Sequence, residues 1–373
     1  MNATRLAACD TTPAKAGNNA KLPNPFKFNN GKAVATKEDW ACRREEMRTM
    51  LQQFELGTKP PKPEKVTGTF SGNSLSITSS VGGKTMTFSV SIKLPSGGAG
   101  PYPVIIGNGG SSLPSFPGVA TMMFNNNDIA ANMAGSDRGK GKFYSLYPGS
   151  DAGALTAWAW AVSRIIDVLE ETPAAKIDPK RVAITGCSRN GKGALTIGAL
   201  DDRIALVIPE ESGSGGTACW RLCDAEGKSA KVQTASQIVT ENVWFSKKFD
   251  QYSKAVNTLP YDHHFLLGLV APRGMITIDN AEPKWLGPMA SWGCSNAART
   301  IYDALGAQDN FGETLASSHP HCSFPAVQKP EVEAFVNKFL LGQSSVATKV
   351  FKAYTAQPFE KSQWIDWTTP KLT

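Results

Sequence analysis

The sequence predicts an α/β fold: a mainly parallel, doubly wound central sheet with antiparallel strands at its N-terminal side. Two observations predict the parallel part. The short continuous apolar runs Val104-Ile105-Ile106, Val182-Ala183-Ile184, Ile204-Ala205-Leu206-Val207-Ile208 and Gly274-Met275-Ile276-Thr277-Ile278 have strand length, and stretches of helical period lie between several of them. A third predicts the antiparallel part, where Val66 to Phe70, Ser74 to Ser80 and Lys84 to Leu94 alternate and are joined by turns at Ser71-Gly72-Asn73 and Gly82-Gly83. With 373 residues, 41% of them hydrophobic, the chain can bury one large core, so a single domain over 1–373 is expected.

Residues 1–35 are polar and rich in Asn, Pro and Lys, which predicts an extended arm tied down by Cys9. A helix follows. Thr36 caps it with Asp39 at the third helical position, Trp40, Met47, Met50, Leu51 and Phe54 recur on its faces, and Gly57 ends it. Pro95 to Pro103 is a glycine-rich loop, and the strand Val104–Ile106 runs into the loop Gly107-Asn108-Gly109-Gly110-Ser111-Ser112. Gly118 to Ala134 supplies a strand and a polar turn, and Gly135 to Gly149 reads as a long loop of the kind that rims a site. From Gly153 to Glu170, Leu155, Trp158, Ala159, Val162, Ile165, Ile166 and Leu169 give a long amphipathic helix. A last helix is expected from about Pro330 to Leu341, with Val332, Phe335, Val336 and Phe339 on one face.

Composition excludes several function classes. No apolar run reaches eighteen residues, so no membrane-spanning segment is expected. The net charge of +7 comes without long basic runs; the densest cluster, Lys59 to Lys65, is proline-rich and reads as a solvated linker, so no nucleic-acid partner is expected. Seven cysteines point to an oxidising compartment and hence to a secreted protein, although Met1 to Arg5 carries no apolar signal core. Asn2-Ala3-Thr4 is an N-glycosylation sequon.

The chemistry centres on Thr185-Gly186-Cys187-Ser188-Arg189-Asn190-Gly191-Lys192-Gly193, directly after an apolar strand. A serine hydroxyl becomes a useful nucleophile only when it is held away from its own backbone, beside a base and near oxyanion donors. A glycine-flanked turn from strand to helix supplies that geometry, although the second glycine, Gly191, comes one residue later than in G-x-S-x-G. An ordinary glycine-rich turn with a capping serine fits the same residues. In such a hydrolase the Gly107–Ser112 loop is where an oxyanion N–H is expected. The strand Ile204–Pro209 ends in Glu210-Glu211, at the edge where α/β enzymes place functional groups; Asp279 and Glu282 follow a later strand.

Of four histidines, His263 and His264 precede an apolar run and read as structural, whereas His319 and His321 lie in a loop before the last helix, the usual place of the base. Cys187 adjoins Ser188 and Cys322 adjoins His321. A disulfide between them would hold nucleophile and base together, although sequence alone leaves the connectivity open.

Four separated motifs, Gly186-Cys187-Ser188-Arg189-Asn190-Gly191-Lys192, Pro209-Glu210-Glu211-Ser212-Gly213, Trp285-Leu286-Gly287-Pro288 and His321-Cys322-Ser323-Phe324-Pro325, together resemble the fungal glucuronoyl esterases of carbohydrate esterase family 15. The resemblance runs from about Cys9 to about Phe351, and no carbohydrate-binding module is expected in this sequence outside it. It implies a three-layer αβα sandwich of the α/β-hydrolase type, with Ser188 as nucleophile, His321 as base, Glu211 as the acid, with Glu210 as the near alternative, and Arg189 as oxyanion stabiliser. It further implies sugar contacts by Lys192, Gln233, Glu241 and Trp285; the residues alone favour two polar helix residues for Gln233 and Glu241 and a core aromatic for Trp285, but not the plain helix surface charge for Lys192. The family's disulfides map to Cys9 with Cys42, Cys187 with Cys322 and Cys219 with Cys294, leaving Cys223 over.

The expected activity is therefore hydrolysis, through an acyl-enzyme on Ser188, of esters joining (4-O-methyl-)glucuronic acid on xylan to lignin alcohols, by a secreted monomer without metal or organic cofactor. An acetyl-xylan or feruloyl esterase on the same fold is the first rival and a non-catalytic carbohydrate-binding protein the second.

Overall fold

The computed structural model describes Cys9, residues 12–317 and residues 319–373; the sequon at Asn2 and the start of the arm lie outside the described residues. Ten strands form one sheet: β1 (Lys65–Ser71), β2 (Ser74–Val81), β3 (Lys84–Lys93), β4 (Tyr102–Asn108), β5 (Ala120–Phe124), β6 (Ile177–Cys187), β7 (Ile204–Glu210), β8 (Gly274–Asn280), β9 (Phe311–Ala316) and β10 (Phe351–Ala353). Their spatial order is β1-β2-β3-β5-β4-β6-β7-β8-β9-β10. The pairs β1/β2, β2/β3 and β3/β5 are antiparallel and every later pair is parallel.

Successive side chains of a strand leave opposite faces, so a fully apolar strand must feed two cores. Val104, Ile106, Val182, Ile184, Val207 and Met275 enter the larger core, beneath the helices Ala154–Glu170, Arg189–Leu200 and Pro288–Ala304. Ile105, Ala183, Leu206, Ile208, Ile276 and Ile278 enter the smaller one, closed by Val332, Phe335 and Val336 of the helix Lys329–Phe339. Three layers, helix on sheet on helix, result.

The first helix runs Lys37–Leu51 with the expected Thr36–Asp39 capping box, continues as one π-helical segment over Gln52–Leu56, and stops at Gly57 in the left-handed region (φ 76°). The sequence reading needs four corrections. The arm, irregular as expected, is packed rather than merely tethered: Leu22, Phe26 and Val34 are buried in the main core. The Gly135–Gly149 stretch contains a short helix, Lys142–Leu146, whose Phe143 is buried against Trp160. The helix at Lys329–Phe339 is not the last element, since β10 and a one-turn helix, Lys361–Trp364, follow it. β9 and the helix Pro288–Ala304 went unread, the first because Glu313 interrupts its apolar pattern and the second because Ala, Ser and Gly make up most of its buried face.

Candidate active site

β6 ends at Cys187 and the next helix begins at Arg189, which leaves Ser188 alone at the turn with φ 60° and ψ −127°. A non-glycine residue adopts this backbone only when its surroundings impose it, at a cost of about 1–3 kcal/mol. The Ser188 N–H donates to the Glu210 carbonyl (2.9 Å), and the Lys192 N–H donates to the Ser188 carbonyl (3.0 Å). The two glycines are required by contact. A Cβ on Gly186 would lie 2.7 Å from the Asn190 carbonyl oxygen, and one on Gly191 would lie 2.5 Å from the Glu210 carbonyl oxygen. Both obstacles are backbone and cannot swing aside.

Glu210 and Glu211, adjacent in sequence, diverge in space because Glu211 takes a left-handed backbone (φ 42°) where β7 ends. Glu211 is buried, and its Oε2 accepts from His321 Nδ1 at 2.7 Å and from Asn280 Nδ2 at 3.3 Å, while Oε1 accepts from the Cys322 N–H at 3.2 Å. Glu210 turns the other way: Oε1 accepts from Thr185 Oγ1 at 2.9 Å, and Oε2 accepts from Ser112 Oγ, fastening the glycine loop to the sheet. Burial raises the Glu210 carboxyl above its usual range. The candidates at and beyond the end of β8 make no hydrogen bond to the base. Asp279 is buried against Thr217 Oγ1 (3.2 Å), and burial, with Glu211 nearby, pushes its carboxyl up to about 7; Glu282 is exposed.

A carboxylate can only accept, so His321 Nδ1 carries a proton and Nε2 keeps a free lone pair. Among the described residues Nε2 has no hydrogen-bond partner, Ser188 Oγ included, so the expected bond from serine to histidine is open, as it often is before substrate binds. Both residues line one cleft of about 350 Å³ with Gly109, Gly110, Ser111, Ser112, Arg189 and Asn190. The Cys187–Cys322 disulfide ties the end of β6 to the base loop, and Cys322 itself is left-handed (φ 61°). His321 forms with these cysteines a compact donor cluster, but the two sulfurs are bonded to each other, which disqualifies it as a metal site. Cys9 pairs with Cys42 and Cys219 with Cys294, while Cys223 is free and buried, its Sγ 3.1 Å from Ser214 Oγ.

Trp285 is 41% exposed, not a core residue, and its ring stands edge-on to His321 with centroids 4.8 Å apart. It also lines a second cavity, of about 610 Å³, with Gln233 and Glu241, whose side chains are hydrogen-bonded (3.2 Å). Lys192 is the opposite case, 1% exposed rather than a helix surface charge. Its ammonium donates to the Ser212 carbonyl (2.5 Å) and lies 5.1 Å from the Trp244 ring, and burial pulls its pKa down to about 7.

Sequence reasoning missed an amide cluster that holds the glycine loop against the elbow. Asn108 Nδ2 donates to the Asn190 carbonyl (3.0 Å), Asn126 Nδ2 to Asn108 Oδ1 (3.1 Å) and Asn190 Oδ1 (2.9 Å), and Asn190 Nδ2 to the Gly109 carbonyl (3.4 Å). Two of these asparagines lie inside motifs already singled out, and that was the only available signal. Of the two histidines in the base loop, His319 stands farther from the acid, with its Nδ1 3.7 Å from Glu211 Oε1.

The family model described as glucuronyl esterase, fungi, matches residues 77–306. The 4-O-methyl-glucuronoyl methylesterase of Podospora anserina is 51% identical over 98% of this chain and 78% of that protein, and the enzyme of that name from Schizophyllum commune is 50% identical over 100% and 96%. The glucuronoyl esterase catalytic domain from Hypocrea jecorina superposes with a TM-score of 0.93 at 49% identity, covering 96% of this chain and 98% of that one. A mutant of the Sporotrichum thermophile glucuronoyl esterase in complex with methyl 4-O-methyl-β-D-glucopyranuronate superposes with a TM-score of 0.95 at 45% identity, covering 98% and 100%.

Proposed function

The chain belongs to the fungal glucuronyl esterase family and hydrolyses esters of glucuronic acid; from that premise we propose which residues do so and on what linkage. Ser188 Oγ attacks the uronate ester carbonyl while His321 Nε2 takes its proton, and Glu211 stabilises the imidazolium through Nδ1. Arg189, next to the nucleophile, meets the tetrahedral oxyanion with both charge and donor, and so favours it over the neutral carbonyl. Collapse expels the alcohol, protonated by His321. Water activated by His321 then cleaves the acyl-enzyme and frees the uronic acid.

Gln233, Glu241 and Trp285 hold the sugar half, and Lys192 supports that side. The natural ester joins 4-O-methylglucuronate on xylan to a lignin alcohol, and the enzyme works as a secreted monomer; three disulfides support the oxidising compartment. The observation that carries the reading is the 2.7 Å bond from His321 Nδ1 to Glu211, with Nε2 unpartnered in the cleft that Ser188 lines.

The test incubates the protein and its Ser188→Ala variant with the methyl ester of 4-O-methylglucuronate and with acetylated xylan. Uronate release by the unmutated protein alone, with little acetate release, is expected. Equal release by both proteins, or acetate as the main product, overturns the reading.

A further inference from the structure

Three cavities adjoin through shared or touching residues, and the nucleophile is in the middle one. On one flank Trp285 touches His321 and opens into the Gln233–Glu241 cavity. On the other, Gly109 and Gly110 line the cleft of Ser188 and, equally, a third cavity of about 480 Å³ floored by the outer face of β2, β3 and β5. The partition between these two is bare backbone. At Gly110 (φ 124°) a Cβ would meet nothing within 4 Å, and the loop is pinned from below by the Gly109 N–H on the Phe124 carbonyl (2.9 Å) and by Asn190.

An ester diverges from its carbonyl into an acyl half and an alkoxy half. With the uronate on the Trp285 flank, as proposed above and on which this inference rests, the alkoxy half leaves Ser188 toward Gly109 and Gly110. We propose that the third cavity is the subsite that holds the aryl-substituted alkyl alcohol of that ester.

Its chemistry suits such a group. Strand register sets Gly107, Met123, Ser91 and Ser74 side by side across four strands. Directly paired side chains stand about 5 Å apart, so the stretch from Met123 to Ser74 spans about 10 Å, the length of a substituted phenyl ring. Met123 is 47% exposed on a surface otherwise dressed with small hydroxyls. A thioether there meets a ring with a soft, polarisable contact, and the Ser74, Ser89 and Ser91 hydroxyls suit ether and hydroxyl oxygens on that ring. Among the described residues no ionisable side chain lines the cavity, in contrast with the flank that carries Glu241, so a neutral group belongs here.

The experiment compares kcat/KM for the 3-phenylpropyl and methyl esters of 4-O-methylglucuronate in the unmutated protein and in two variants on different strands, Met123→Thr and Ser91→Tyr. The unmutated protein is expected to favour the aryl ester, and each variant to lower the aryl-to-methyl ratio about three- to tenfold while methyl ester turnover, the control for folding, stays within about twofold. An unchanged ratio in both variants, or no aryl preference at the outset, overturns the subsite and leaves the esterase assignment standing. Failure of the unmutated protein to hydrolyse either ester overturns that assignment and the subsite with it.

Discussion

Glu210 and Glu211 illustrate how one backbone angle separates two identical side chains into different work. The left-handed turn at Glu211 delivers its carboxylate to His321, whereas Glu210 stays in register with β7 and is committed to Thr185 and Ser112. Glu211→Gln keeps the shape but removes the charge that stabilises the imidazolium and the tautomer; kcat is expected to fall by about 10³–10⁴. Glu210→Gln keeps the shape and removes a charge that burial already disfavours, away from the base, and turnover is expected to stay within about tenfold. Steady-state kinetics of the two variants decide the matter: comparable losses would remove Glu211 from the role given to it. That Ser188 and His321 line one cleft was legible in the residues, whereas Glu211 was picked out from Glu210, Asp279 and Glu282 by the family resemblance and not by the residues themselves. The burial of Lys192 was not legible, because nothing local to a lysine near the start of a helix says whether the surface above it is closed by Ser212 and Trp244.

Among the elements, β6 with its elbow and β7 were readable because both faces of the sheet are covered and their runs are apolar throughout. β9 was unreadable for a definite reason. Its Glu313 is as buried as its neighbours, with Oε2 accepting from Thr277 Oγ1 and, at 2.7 Å, from Ser295 Oγ, and those donors come from another strand and a distant helix. The base loop, in turn, is an element with little regular structure of its own, joined to β6 by a disulfide between residues 135 apart in sequence. The Cys187→Ala/Cys322→Ala double variant is expected to lose about 2–4 kcal/mol of stability in denaturant titration, because its unfolded chain is no longer closed into a long loop. The same variant is expected to lose kcat more than it raises KM, since His321 is then positioned by Glu211 and Trp285 alone. Unaltered kcat would show that the tether does not position the base.

For the whole molecule, two adjacent buried histidines set opposing limits of pH. His264 donates Nε2–H to the Pro23 carbonyl (2.8 Å) and stacks on Trp367, joining the arm to the C-terminal segment; burial pushes its pKa down to about 4. The fold accepts only the neutral ring, while the unfolded chain takes a proton near the ordinary value of about 6.5. Its contribution is therefore whole above about pH 6.5 and drains away as the pH falls toward 4, by roughly 3 kcal/mol. His263 runs the other way: burial would lower its pKa, but Glu55 outweighs burial and raises it, so its contribution is whole at lower pH and fades as the pH climbs through that raised value. Calorimetric unfolding across pH 4 to 7 should show the acid-side loss, and His264→Gln, which keeps an N–H for Pro23, should start lower and lose much less. An equal slope in the variant would place the acid sensitivity elsewhere.

One feature of the backbone reaches further. Among the described residues four that are not glycine hold a positive φ: Lys176, Ser188, Glu211 and Cys322. Glycine is the ordinary remedy for such a conformation. At Lys176 that remedy is open, but at the other three the proposed mechanism makes the side chain the nucleophile, its acid and the anchor of the base, so relief and that chemistry exclude each other. Variants selected for heat resistance can then gather their gains anywhere in the scaffold except at these three positions, and the tension in the elbow, the acid turn and the base loop passes unchanged from one improved variant to the next.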